Sequence, residues 1–175
     1  KNKGFGRKVL SVIRASNLVV LMTDYKRADW LTKVKQELES AGMRLNKRPP
    51  KIHIHKMGKG AIQIIDPFFS LPVETMTEIA KEMGMENAVI QLGEKVESID
   101  QFIDGLSKSR TYIPLVEVVT KIDEQKNVKR TDGVVYMSAK NGLGMEEFKE
   151  AVWKGLGMVR VYLKRERVSE ADKNE

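Results

Sequence analysis

Two short motifs in this 175-residue chain hold residue types that can read a purine base. The first, Thr120-Lys121-Ile122-Asp123, follows the apolar, β-branched run Ile113–Val119. The Asp123 carboxylate can accept two hydrogen bonds from one edge of guanine, from its ring N–H and its exocyclic amine. Adenine offers neither donor in that arrangement, and a buried acceptor left unpaired costs about 1–3 kcal/mol. The stem of Lys121 can lie along the flat face of the base. The second motif, Ser138-Ala139-Lys140, follows the run Val134–Met137. There the backbone N–H of Ala139 can donate to the guanine carbonyl oxygen, and Lys140 can cover the other face. Either motif alone is a weak signal. Together they end two successive strands, and open α/β sheets bind ligands at the carboxyl ends of their strands.

The elements that must position these loops follow from apolar periodicity. Val9, Leu10, Val12 and Ile13 predict a short amphipathic helix over 7–15. Leu18–Met22 is a continuous apolar run, the pattern of a strand buried on both faces. Trp30, Leu31, Val34, Leu38 and Ala41 form a helical stripe stopped by Gly42. The pattern then changes. Pro49-Pro50 excludes a helix, while Ile52 and Ile54 alternate with His53 and His55. Met57-Gly-Lys-Gly60 before Ala61–Ile65 predicts a β-hairpin. A helix over Val73–Met83, a strand at Ala88–Leu92 and a helix opened by a Ser98/Gln101 capping box follow. The α/β rhythm then returns with the two motif-bearing strands, and Phe148, Val152 and Leu156 mark the helix after the second. Val159–Leu163 alternates like one more strand, and Lys164–Glu175 is charged throughout. This chain opens on Lys1, in what reads as a loop, so the expectation is of a fragment.

The formal net charge of +7 is unevenly spread. Residues 1–60 hold 15 Lys+Arg against 4 Asp+Glu, whereas residues 61–107 hold 2 against 9. A basic front points to a polyanion or to a solvated face. Lys47, Arg48, Lys51, Lys56 and Lys59 cluster on the expected hairpin, as phosphate contacts on RNA or as a solvated edge. The absence of cysteine fits a reducing cytoplasm, and no apolar run approaches membrane-span length. His53 and His55 share a strand face, but no cysteine or carboxylate nearby completes a metal set, so none is assigned.

The paired loops resemble the fourth and fifth guanine-nucleotide motifs of translation-factor-type GTPases. The wider text is similar to the developmentally regulated GTP-binding protein family, within the Obg-related GTPases. "KGFGRKVLSVIRASNLVVLMTD" resembles the segment after that family's Asp-x-Pro-Gly switch motif, and "ELESAGMRLNKRPPKIHIHKMGKGAIQI" its ribosomal-protein-like α+β insertion. "RTYIPLVEVVTKID" and "YMSAKNGLGMEEFKEAVWKGLGMVRVYLK" resemble its base-binding loops and its entry into a TGS domain. Thr120 stands where the family usually has Asn. The resemblance implies a GTPase, binding GTP or GDP and associated with the ribosome or RNA. This chain contains neither the Gly-x-x-x-x-Gly-Lys-Ser/Thr phosphate loop nor the Asp-x-Pro-Gly that would serve Mg²⁺.

The expected fold is therefore α/β, a partial P-loop GTPase (Rossmann-like) domain over 1–44 and 108–157. An inserted α+β subdomain takes 45–107, and 158–175 starts a TGS domain and charged tail. No catalytic residue is assigned, Mg²⁺ would serve only the intact parent, and this chain alone is expected to be inactive on GTP. An exposed sheet edge should invite pairing. The alternative is a non-catalytic RNA- or ribosome-binding module.

Overall fold

A computed structural model describes residues 6–125 and 127–161. Apolar runs and stripes become, in order, α1 (Arg7–Arg14), β1 (Val19–Asp24), α2 (Asp29–Ser40), β2 (Met43–Leu45), β3 (Ile52–Lys56) and β4 (Gln63–Ile65). These are followed by α3 (Val73–Glu82), β5 (Ala88–Leu92), α4 (Ile99–Leu106), β6 (Thr111–Ile113), β7 (Leu115–Thr120), β8 (Val134–Tyr136) and α5 (Met145–Gly155). No helix among the described residues is long and apolar enough to cross a membrane.

β1, β7 and β8 form one parallel sheet in that order, in register from Val19↔Leu115 to Asp24↔Thr120 and from Glu117↔Val134 to Val119↔Tyr136. Alternation along β7 fills both faces. Leu115 and Val119 pack toward Leu38 and Leu31 of α2, while Val116 and Val118 pack with Phe148 and Ala151 of α5. The outer strand β1 departs from the two-faced burial its apolar run predicts. Val19 is buried, but Val20 and Met22 are exposed, because α5 lies over β7 and β8 instead. A continuous apolar run records residue type and is silent on which helix covers which strand.

The run Ile113–Val119 is two strands, not one. Pro114, which has no N–H for a ladder, separates β6, paired with β2, from β7, paired with β1. Asn46 stitches this corner: its side-chain amide donates to the Leu115 carbonyl (3.0 Å) and accepts from the Leu115 N–H (2.7 Å).

The expected hairpin does not form. β3 and β4 lie on opposite sides of β5, antiparallel and parallel to it. Alternation within each strand was legible, but the partner that separates them lies more than twenty residues further along. This sheet has its own core: Met76 and Ala80 of α3 and Phe102 and Leu106 of α4 pack beneath Ala88, Ile90 and Leu92. The capping box is present in modified form. Gln101 N–H donates to the Ser98 hydroxyl, but the Gln101 side chain accepts from the N–H of Glu97, one residue ahead of the cap. Of the expected strand Val159–Leu163, residues 159–161 carry no strand assignment. The remainder, with most of the expected TGS start, lies outside the described residues.

Asp104 of α4 joins this layer to the strands beside it. Arg44 of β2 forks onto its carboxylate through Nε and Nη2, and Arg110 Nε donates to Oδ1 at 2.8 Å. Burial pushes the Asp104 carboxyl up, but hydrogen bonds and charge from both arginines outweigh it and hold it below the usual range. Asp104→Ala should lower stability by about 2–3 kcal/mol, since two largely buried arginines lose their partner. A carboxyl depressed in the folded state contributes fully above the unfolded aspartate value and is lost as pH falls through the folded one. The deficit of Asp104→Ala against wild type, from denaturant midpoints, should therefore be flat from pH 5 to 8 and shrink below about pH 4.

Candidate nucleotide-binding site

At the carboxyl end of the parallel sheet the β7 and β8 loops lie side by side because their strands are neighbours. Thr120 ends β7 by donating its hydroxyl to the Thr23 carbonyl of β1 at 3.1 Å. Lys121 then takes a left-handed conformation (φ 58°), which turns the chain into a 3-10 turn over Ile122–Glu124. Ile122 is buried against Leu31, Val119 and Tyr136 and anchors that turn, so that Asp123 stands exposed above it. On the β8 side, Met137 N–H donates to the Val119 carbonyl at 2.9 Å and carries the pairing past the strand's end. Ser138 is buried and bridges to Leu143, while Ala139 and Lys140 are exposed.

The Ile122 N–H donates to the Met137 carbonyl at 3.5 Å and holds the two loops together. The Asp123 carboxyl is held below its usual range, chiefly by the nearby Ser138 hydroxyl. A smaller contribution comes from the positive charge of Lys140. The same hydroxyl accepts from the Asn141 N–H at 3.4 Å. All six base-binding candidates, Thr120, Lys121, Asp123, Ser138, Ala139 and Lys140, thus belong to two adjacent loops at one end of the sheet.

Lys47, Arg48, Lys51, Lys56 and Lys59 are all exposed, but they form no hairpin ridge. They lie along and around β3, the outer strand of its sheet, and Lys51 is 4.0 Å from Glu94. His53 and His55 are exposed on the same strand. Among the described residues no group of three His, Cys, Asp or Glu could hold a metal ion.

Two participants were not anticipated. Asp24, at the end of β1 opposite Thr120, has a buried Oδ1 with no hydrogen-bond partner among the described residues, and it lines a pocket of about 60 Å³ with Tyr25 and Lys121. The Tyr25 hydroxyl donates to the Asn127 carbonyl (3.3 Å) and accepts from the Lys129 N–H (3.4 Å), tying down the segment between the two loops. The position of Asp24 at a strand's carboxyl end was the available signal; for Tyr25 there was none. A wider groove of about 570 Å³, lined by Val20, Phe148, Val152, Trp153 and Met158 together with the charged Glu146, Lys149, Glu150 and Arg160, is separate from these loops.

Residues 59–158 match the family described as the C-terminal region of the MMR_HSR1 domain. An uncharacterized GTP-binding protein of Methanocaldococcus jannaschii is 30% identical over 174 residues, covering 93% of this chain and 44% of that protein. Developmentally-regulated G-protein 2 of Arabidopsis thaliana is 31% identical, covering 94% of this chain and 43% of its own length. Developmentally-regulated GTP-binding protein 1 of Xenopus laevis is 33% identical, covering 93% and 46%. The chain spans somewhat under half the length of these relatives.

Proposed function

We propose, because this chain belongs to the developmentally regulated GTP-binding protein family through the C-terminal region of its MMR_HSR1 domain, that it carries the guanine-reading half of a GTP-binding site. The observation that carries the reading is the side-by-side placement of Thr120–Asp123 and Ser138–Lys140 at the carboxyl ends of two adjacent parallel strands, joined by the Ile122 N–H donating to the Met137 carbonyl at 3.5 Å. An ionised Asp123 accepts the ring N–H and amine of guanine, and the N–H of Ala139 meets the carbonyl oxygen. Lys121 and Lys140 lay their stems against the two faces of the base. Thr120 secures the loop to β1 through its hydroxyl. We assign phosphate binding and hydrolysis to no residue of this chain.

The test is a titration followed by NMR, which detects millimolar binding. GDP should shift amide resonances of Thr120–Glu124 and Ser138–Asn141, and ADP at the same concentration should leave them in place. Equal shifts with ADP, or GDP shifts elsewhere only, would remove base reading from these loops.

We further propose that residues 1–44 and 108–157 form the nucleotide unit and that 45–107 is an inserted α+β unit. Support comes from the separate sheet and separate core of the latter. One observation favours a second reading, RNA or ribosome binding by that unit. Its outer strand β3 and the segments flanking it carry Lys47, Arg48, Lys51, Lys56 and Lys59, all exposed. Cations on such a surface bind phosphates and release counterions, so affinity falls with salt by a log–log slope of up to about −0.7 per contact on single strands. Replacing Lys47, Arg48 and Lys56 together by Ala should flatten the slope for ribosomal RNA by about two units. Stability should change little, because exposed charges contribute little to folding. Identical slopes would leave these lysines as solubilising residues of an outer strand.

A further inference from the structure

We propose that the free edge of β4, with the Phe68–Phe69 turn that follows it, docks an extended peptide of a partner protein in which apolar residues alternate with Lys or Arg. Three independent features converge there.

The first is an open edge. Among the described residues β4 pairs only with β5, so its outer N–H and C=O groups are available to a further strand. Ile65, on that edge, is 47% exposed. An extended segment adds to such an edge through main-chain hydrogen bonds, and alternate side chains supply specificity.

The second is a pre-set aromatic pair. Phe69 is 91% exposed and Phe68 41%. Phe69 also has φ +50°, a left-handed conformation in which a bulky aromatic residue is strained. The turn is fixed nonetheless. The Asp66 carboxylate accepts from the N–H groups of Phe68 (3.0 Å) and Ser70 (2.6 Å), and the Ser70 hydroxyl accepts from the N–H of buried Val96 (3.0 Å). Folding gains nothing from a strained residue held out into water. A partner does gain, because the aromatic anchor is ordered before it arrives.

The third is charge. α3 packs against β4 and presents Glu74, Glu78 and Glu82 at i, i+4 and i+8, all exposed. Among the described residues none of the three has an ion-pair partner. Residues 61–107 as a whole hold 9 Asp+Glu against 2 Lys+Arg. This surface therefore favours a basic strand and disfavours a nucleic-acid backbone.

The probe is a labelled nine-residue peptide of alternating Lys and Val, titrated against the chain by fluorescence anisotropy. Phe69→Gly should weaken binding at least tenfold while raising the melting temperature by about 2–4 °C, because glycine relieves the left-handed strain. That rise separates lost docking from lost folding. Methylation of alternate peptide amides should abolish binding, and a Glu–Val peptide should not bind. No binding of the Lys–Val peptide at millimolar concentration would overturn the proposal. So would equal affinity for Phe69→Gly, for the methylated peptide or for the Glu–Val peptide. Phe69-dependent binding of oligo-uridine in place of the peptide would instead assign the aromatic pair to base stacking and overturn it as well.

Discussion

Gly144→Ala should cost about 3–5 kcal/mol, because among the described glycines an added methyl meets its nearest neighbour at the shortest distance here. Gly144 caps the start of α5 with φ 70°. A Cβ there would fall 2.2 Å from the Tyr136 carbonyl oxygen and 3.1 Å from Met137 Cα. Both are backbone atoms of β8 and its exit, which no rotamer change can move aside. Relief requires shifting α5 away from the sheet, and Phe148 and Ala151 with it, out of the cluster that holds Val116, Val118 and Met137. Gly142 is the internal control. It has the same φ of 70° but nothing within 4 Å of its would-be Cβ, so its alanine variant should lose only the left-handed penalty of about 1–2 kcal/mol. Urea unfolding of both variants, followed by tryptophan fluorescence, isolates the overlap as their difference. Equal losses would mean that α5 does not sit this close to β8.

The Ser138 loop should move with α5. It closes through the Ser138–Leu143 bridge, one residue before Gly144. The glycine therefore links the packing of the last helix to the position of Ala139 and Lys140.

How much of this was legible in the sequence depended on the range of the interaction. Helices with a stripe and a stop, such as α2 ahead of Gly42 and α3 ahead of Gly84, stood out because their signals are local. So did the placement of the two candidate loops, since Thr120–Asp123 and Ser138–Lys140 each follow their own strand directly. Strand pairing was less legible. Ile52–Lys56 and Gln63–Ile65 looked like hairpin arms because they are close in sequence and turn residues lie between them. Ala88–Leu92, from beyond α3, takes the place between them. Exposure of Val20 and Met22 was equally hidden, because it depends on where α5 lands. Asp24 escaped notice since a single carboxylate at a strand end has no spacing to recognise; its relation to Thr120 exists only in the register.

Asp123→Asn should invert base preference from guanine to xanthine. Asp123 is exposed at the sheet's end, where the Ser138 hydroxyl and the Lys140 charge favour its ionised form. A carboxylate has no donor, so it suits guanine, which offers two N–H groups on that edge. Asparagine replaces one acceptor by an amide donor, which suits xanthine, where a carbonyl stands in place of the amine. Hydrogen bonds to a charged acceptor contribute about 1.5–3 kcal/mol each. Losing one while facing donor to donor should weaken GDP by about 100-fold, at 1.4 kcal/mol per tenfold. The deciding measurement is therefore the ratio of GDP to XDP affinity in wild type and in Asp123→Asn, titrated under one set of conditions. The ratio should favour GDP in wild type and reverse in the variant. A ratio that stays the same in both would contradict the assignment of Asp123 as the residue that reads the base.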